Sequence, residues 1–102
     1  MSLVFKALAD PTRRRVLQLL KERPMTAGEI AEQVDIAKPT LSAHFAILRE
    51  AGLVGSEKKG KTVTYWLNAS VLEEALLDFA DTVGVGLRSK RVRTGAPAKK
   101  ES

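Results

Sequence analysis

Apolar positions follow a helical period over the first half of the chain, an alternating period over a short middle stretch, and a helical period again near the end. Leu3, Val4, Phe5 and Leu8 share one face at helical spacing, which predicts a first helix over residues 2–9. Asp10 is a favoured N-cap, and Pro11 suits a first helical position because the N–H it lacks has no helical partner there. A second helix therefore opens at Pro11, with Val16, Leu17, Leu19 and Leu20 as its buried stripe, and stops at Pro24. Thr26-Ala27-Gly28-Glu29 reads as a capping box opening a short third helix to about Val34, with Ile30, Ala31 and Val34 inward. Asp35-Ile36-Ala37 is a tight connection. Lys38-Pro39 then opens a fourth helix reaching Glu50 or Ala51, with Gly52 where a terminating glycine belongs.

The period next falls to two. Leu53–Lys58 makes one short strand, and Val63, Tyr65 and Leu67 alternate with Thr62, Thr64 and Trp66 in a second. Lys59-Gly60-Lys61 joins them into a hairpin with a basic tip. Ser70-Val71-Leu72-Glu73 reads as a second capping box, opening a fifth helix through about Val83 that Gly84 and Gly86 end. No internal repeat is present. The order helix, helix, short helix, tight turn, helix, hairpin, helix predicts a mainly α fold with a β-hairpin wing, a winged helix-turn-helix in one domain over residues 1–86. Residues 87–102 are rich in Pro, Gly, Lys and Arg and are expected to form a basic, disordered tail.

Charge sharpens this picture. Residues 1–86 carry eleven Lys/Arg and eleven Asp/Glu, so the net charge of +5 resides in the tail, where Arg88, Lys90, Arg91, Arg93, Lys99 and Lys100 face Glu101 alone. A basic pI therefore does not mark the body as a nucleic-acid binder. Within the body, Glu22, Glu29, Glu32 and Asp35 cluster early and Glu73, Glu74, Asp78 and Asp81 late, with Lys38, Arg49, Lys58, Lys59 and Lys61 between. That middle third is where DNA would meet the body. The tail is either a solvated end or an arm adding phosphate contacts.

Absences narrow the chemistry. With no cysteine there is no disulfide, thiolate metal site or thiol switch. One histidine makes a poor metal site. No phosphate-binding loop or nucleophile–base pair is evident in so short a chain, so neither an enzyme nor a cofactor is expected. No stretch is apolar enough to span a membrane and no secretory signal opens the chain, which points to the cytoplasm and away from membrane association.

The fourth helix carries the candidate site. At 100° per residue Leu41, Phe45 and Leu48 form its buried stripe, while Pro39, Thr40, Ser42, Ala43, Ala46 and Glu50 lie opposite. Small hydroxyl and methyl groups near a helix N-terminus suit close approach to a groove wall. Thr40 and Ser42 can bond base edges or phosphates, Ala43 can touch a thymine methyl, and Lys38 can reach a phosphate or guanine. His44 flanks the stripe. It is read as a DNA contact near the groove, against the alternative of a half-buried, hydrogen-bonded histidine. Lys58, Lys59 and Lys61 are phosphate contacts from the wing, although lysines also protect exposed strand edges. Arg49 is divided between a phosphate and a salt bridge. Arg13, Arg14 and Arg15 point in three directions and can pair with nearby acids, so not all three are assigned to DNA.

Several of these segments resemble the ArsR family of bacterial repressors: Asp10-Pro11-Thr12-Arg13-Arg14 with Val16-Leu17; Met25 to Ala31; Lys38 to Phe45 with Leu48 to Val54; and Gly60-Lys61 through Asn68. The likeness covers roughly residues 1–83. Its Val-Phe-Lys-Ala start, Met-Thr-Ala-Gly third helix and Lys-Pro opening are similar to metal-independent autorepressors of that family. The resemblance implies a winged-helix homodimer repressing its own or a neighbouring operon. Two departures remove the metal-release mechanism known in other members. Ile30-Ala31-Glu32-Gln33-Val34 stands where many have cysteine pairs, and the last helix offers only Glu73, Glu74, Asp78 and Asp81, carboxylates that suit hard, weakly held ions. Ala37 also replaces a serine often found before Lys-Pro, which loses a cap.

The last helix carries more apolar residues than one small domain hides, which predicts a dimer through the terminal helices. Leu3, Val4, Phe5, Leu8, Leu72, Ala75, Leu76, Phe79 and Val83 are the expected interface, and two-fold symmetry then predicts an inverted-repeat operator on double-stranded DNA. Two other readings stay open: a metal- or ligand-sensing regulator of the same fold, and a winged helix used as a protein-interaction module docking an effector or anti-repressor.

Overall fold

The computed structural model describes residues 2–88; the expected basic tail beyond Arg88 lies outside them. The described residues divide into two compact units, one through residue 72 and one from residue 73 onward. The first holds helices α1 (Ser2–Leu8), α2 (Pro11–Glu22), α3 (Ala27–Val34) and α4 (Lys38–Glu50) and strands β1 (Met25–Thr26), β2 (Val54–Lys59) and β3 (Thr62–Leu67). Helix α5 (Ala69–Thr82) begins there and continues into the second unit.

Local chemistry sets each boundary. The Asp10 carboxylate accepts from the Arg13 amide at 3.0 Å and caps α2 one residue before Pro11. At α3 the Thr26 hydroxyl accepts from the Glu29 amide at 3.1 Å while the Glu29 carboxylate accepts from the Thr26 amide at 2.9 Å, closing the expected capping box. Asp35, at φ 54°, takes the left-handed position ending α3, and its amide donates to the Ala31 carbonyl. At the end of α4, Gly52 adopts φ 77°, its amide bonds Arg49 O, and the Leu53 amide bonds Leu48 O. That paired closure needs glycine's freedom at positive φ.

Three differences from the sequence expectations are local. Met25 and Thr26 pair with Tyr65 and Thr64, so the wing is the outer part of a three-stranded antiparallel sheet of order β1-β3-β2. Lys59 pairs with Thr62, which carries β2 one residue further than expected and leaves Gly60-Lys61 as a two-residue turn. Helix α5 starts at Ala69, so Ser70 lies inside its first turn, and the Asn68 side chain donates to the Gly52 carbonyl at 3.0 Å.

The first unit buries Val4, Ala7, Val16, Leu17, Leu20, Met25, Ile30, Leu41, Phe45, Leu48, Leu53, Val54 and Tyr65. At roughly 1.5–3 kcal/mol for each large aliphatic or aromatic side chain, this core is the main stabilising term. Phe45 of α4 stacks on Tyr65 of β3 with centroids 4.0 Å apart and planes 15° off parallel, tying helix to sheet. Val4, expected at a dimer interface, is only 7% exposed. It is a core residue, because it occupies the inward face of a helix packed on α2 and α4.

The arginine run is also corrected. Its side chains bond carbonyls, an amide and an imidazole, not acids. The Arg13 Nε donates to Ala7 O (2.8 Å) and its Nη2 to Lys6 O (3.0 Å), while Arg14 Nη1 donates to Leu8 O (2.8 Å). Between them they bond the last carbonyls of α1, which lack the usual i+4 helical amide; the Lys6 carbonyl also accepts from the Ala9 amide at 3.3 Å. Arg15 donates to the Gln18 side chain.

In the second unit Leu77 and Ala80 are buried, and Gly84 at φ 91° ends α5, with its amide on Asp81 O and the Val85 amide on Ala80 O. Arg88, expected in a disordered tail, instead contacts Glu74 Oε1, Asp78 Oδ1 (3.0 Å) and Asp81 Oδ2 (2.7 Å). Carboxylates at i, i+4 and i+7 share one helix face, so one guanidinium reaches all three.

Candidate nucleic-acid interface

Helices α3 and α4 with the turn Asp35–Ala37 form a helix-turn-helix, and the β2–β3 hairpin follows it as the wing. Leu41, Phe45 and Leu48 are buried, which fixes the rotation of α4 about its axis. That rotation leaves Lys38, Pro39, Thr40, Ser42, Ala43, Ala46, Arg49 and Glu50 exposed. Ala37 provides no side-chain cap, and Pro39 sits in the first turn. The leading end of α4 is therefore small in profile and bears uncapped amides.

An open cleft of about 360 Å³ joins three elements: the first turn of α3 with its cap (Thr26, Ala27, Gly28), the leading half of α4 (Lys38, Ser42), and the wing (Lys61, Thr62). It thus brings together Lys38, Ser42 and Lys61 from the expected set. Lys58 and Lys59 are exposed along β2, opposite Val63 and Thr62. Among the described residues, Lys38, Arg49, Lys58, Lys59 and Lys61 form no ion pair, so their charges are uncommitted. Arg49 stands apart from the cleft, about 16 Å along the axis from Lys38 by helix rise, on a shallow surface with Ala46, Ile47 and Glu50.

His44 is half-buried, its side chain 16% exposed, and its Nδ1 lies 3.2 Å from Arg13 Nη1 and 3.8 Å from Asp10 Oδ2. The backbone amide of Arg13, more than any other group, holds the Asp10 carboxyl below its ordinary range. The amide of Thr26 and then the Arg23 guanidinium do the same for Glu29. Sequence reasoning did not find Arg13, or Thr26, Gly28 and Thr62 on the cleft wall.

The residues expected at a dimer interface fall into three groups. Leu3, Leu76, Phe79 and Val83 are exposed, Val83 by 58%, and Phe5, Leu8, Leu72 and Ala75 are half-buried. Val4 is in the core, as described. Leu8 and Leu72, with Leu17 and Leu67, line an open apolar groove beside Arg14 and Arg15. Among the described residues no His/Asp/Glu cluster could hold a metal ion, and no helix is long and apolar enough to cross a membrane.

A helix-turn-helix with an uncommitted basic wing beside an exposed, small-residue second helix defines a winged-helix DNA-binding protein. Residues 8–57 match the helix-turn-helix domain family model. The chain is 47% identical over 76 residues to the transcriptional repressor SdpR of Bacillus subtilis, covering 74% of this chain and 84% of that protein. It is 41% identical over 75 residues to the HTH-type transcriptional regulator KmtR of Mycobacterium tuberculosis, covering 74% of this chain and 58% of that one. A crystal structure of an ArsR-family transcriptional regulator superposes with a TM-score of 0.71 at 33% identity, covering 80% of this chain and 87% of its own. The chain belongs to the ArsR family of winged-helix transcriptional regulators, which are DNA-binding proteins and not enzymes.

Proposed function

We propose that this regulator is a metal-independent repressor, acting on its own or a neighbouring operon, that binds an inverted-repeat operator as a homodimer. The observation that carries the reading is the cleft where α3, α4 and the wing meet, with Lys38 and Lys61 on its walls and no carboxylate among its lining residues. Lys38, Lys58, Lys59, Lys61 and Arg49 serve as phosphate contacts. Pro39, Thr40, Ser42 and Ala43 approach base edges in the major groove, with His44 beside them. Repression follows from occupying a promoter, and SdpR is named a repressor.

The homodimer reading is supported by apolar side chains left exposed on each unit, Leu3 on the first and Leu76, Phe79 and Val83 on the second, while Phe5, Leu8, Leu72 and Ala75 are half-buried. Metal independence is supported by the lack of cysteine and by Arg88, whose guanidinium already bonds Glu74, Asp78 and Asp81. Fluorescence anisotropy against a duplex selected from random sequence and a scrambled control, across salt and with zinc, tests this. A preference of about 10³ or more with a steep salt slope and no zinc effect supports it. Equal weak binding to both duplexes refutes sequence-specific repression. Sedimentation of Leu76→Glu and Val83→Glu variants, expected to be monomers at micromolar concentration, tests the interface.

A further inference from the structure

Arg13 is the one buried charged residue among those described, and each of its three side-chain nitrogens makes a hydrogen bond. Nε and Nη2 are fixed on the carbonyls of Ala7 and Lys6, so the guanidinium is anchored to the end of α1. The remaining nitrogen, Nη1, lies 3.2 Å from Nδ1 of His44 on α4. A guanidinium only donates. The Nδ1 of His44 must therefore be its lone-pair nitrogen, and a neutral ring then carries its proton on Nε2. The neighbouring carboxylate does not compete for Nδ1. Asp10 Oδ2 is 3.8 Å away, beyond hydrogen-bond distance, and accepts from the Arg13 amide at 3.0 Å. No hydrogen bond to Nε2 is made among the described residues.

We propose that Arg13 is a positioning residue for DNA recognition: anchored to α1, it fixes the His44 ring as the Nε2–H tautomer, so that α4 offers DNA a single preset donor. The inference rests on the assignment of α4 as the DNA-reading helix. The partner chemistry is a hydrogen-bond acceptor on the duplex, either a phosphate oxygen or a purine N7. Because the guanidinium is held on two backbone carbonyls, the ring does not have to be ordered when DNA arrives, and affinity gains from that preorganisation.

Two readouts test this. Long-range ¹⁵N correlation spectra of the intact protein at about pH 8 report the His44 tautomer directly. An unprotonated Nδ1 is expected, and a protonated Nδ1 overturns the proposal without reference to DNA. Binding is then measured on a duplex selected from random sequence by the wild type and on a scrambled duplex. His44→Asn keeps an acceptor for Arg13 but lacks a donor at the Nε2 position, whereas His44→Gln supplies one. The Asn variant should bind about tenfold or more weakly, the scale of a hydrogen bond to a charged or well-aligned acceptor, and the Gln variant within about threefold of wild type.

Loss on both duplexes identifies a phosphate acceptor, and loss on the selected duplex alone a purine. Arg13→Gln should weaken binding in the wild-type background but by less than about twofold in the His44→Asn background, since the two act through one contact. Equal losses in both backgrounds would mean that Arg13 acts only on stability. If Arg13→Gln does not fold, the tautomer and the Asn/Gln pair still decide. A wild type that binds neither duplex sinks the DNA-reading assignment itself. A wild type that binds, with His44→Asn equal to it, sinks this inference alone.

Discussion

The Phe45–Tyr65 stack joins the helix proposed to read DNA to the strand that carries the wing, and its loss should be measurable in both stability and cooperativity. Phe45 is almost fully buried, and Tyr65 lies in the central strand, paired with Met25 on one side and Ser56 on the other. Phe45→Leu keeps an apolar side chain at the site but ends the ring contact. An offset aromatic pair contributes about 0.5–1.5 kcal/mol beyond its area, and the smaller side chain adds a partly collapsed void. Together these give a loss of about 1.5–2.5 kcal/mol, or ~6–20 °C in Tm at ~4–8 °C per kcal/mol for a domain this small. Phe45→Ala is less informative, because its cost of about 3–5 kcal/mol approaches the whole stability of a chain of this length. Circular-dichroism melts at fixed protein concentration measure the loss, and a double-mutant cycle with Tyr65→Leu isolates the pair. Coupling of about 0.5–1.5 kcal/mol is expected. Zero coupling would refute the argument and assign the helix–sheet junction to its aliphatic contacts alone.

Other outcomes follow from single features. A Cβ at Gly55 would lie 2.4–2.6 Å from the Trp66 indole, so Gly55→Ala must displace that ring from the sheet face. Trp66 is the only tryptophan, and its emission should shift to the red; an unchanged spectrum would contradict the packing. Asp10 and Glu29 both have depressed pKa values in the folded state, so their contribution is complete above their reference values of 3.8 and 4.5 and is lost as pH falls through the lower folded values. Asp10→Asn and Glu29→Gln should flatten the acid limb of stability against pH, and an unchanged limb would show that these caps do not drive it. Thr26→Ala should cost about 1 kcal/mol by removing the α3 cap, measured by urea denaturation. Lys61→Ala should lower the magnitude of the salt slope for DNA binding by about 1 and weaken both duplexes alike, which anisotropy across salt would check.

Most of the fold was legible because its boundaries are set by short-range chemistry. Asp10-Pro11, the Thr26/Glu29 box and the glycines at 52 and 84 each satisfy backbone groups within a few residues, and sequence shows such pairings directly. Strand β1 was not legible: it has only two residues and no period, and it exists because β3 offers an open edge to the Met25 backbone. Val4 illustrates a different limit. Helical spacing marks a residue as apolar-facing but does not say whether that face meets the protein's own core or a second copy, and only the packing of α1 on α2 and α4 decides. Arg88 was assigned to the tail by composition, although the i, i+4, i+7 spacing of Glu74, Asp78 and Asp81 already described a receptor for one cation.

The case of Arg13 is the most instructive, because the signal was present and was outweighed by a rule. Val16, Leu17 and Leu20 lie three, four and seven residues after it, so Arg13 occupies the buried stripe of α2 while Arg14 and Arg15 fall outside it. Reading the three arginines as one charge run averaged a core position with two surface ones. A buried guanidinium must find acceptors for its donors, and the nearest on the preceding segment are the terminal carbonyls of α1, which lack an i+4 helical amide. Its position in the stripe and its need for acceptors thus lead to the Lys6 and Ala7 carbonyls, and the remaining nitrogen is the one that meets His44. A charged residue in register with an apolar stripe is therefore better read as a question about which acceptors surround it than as an exception to the pattern.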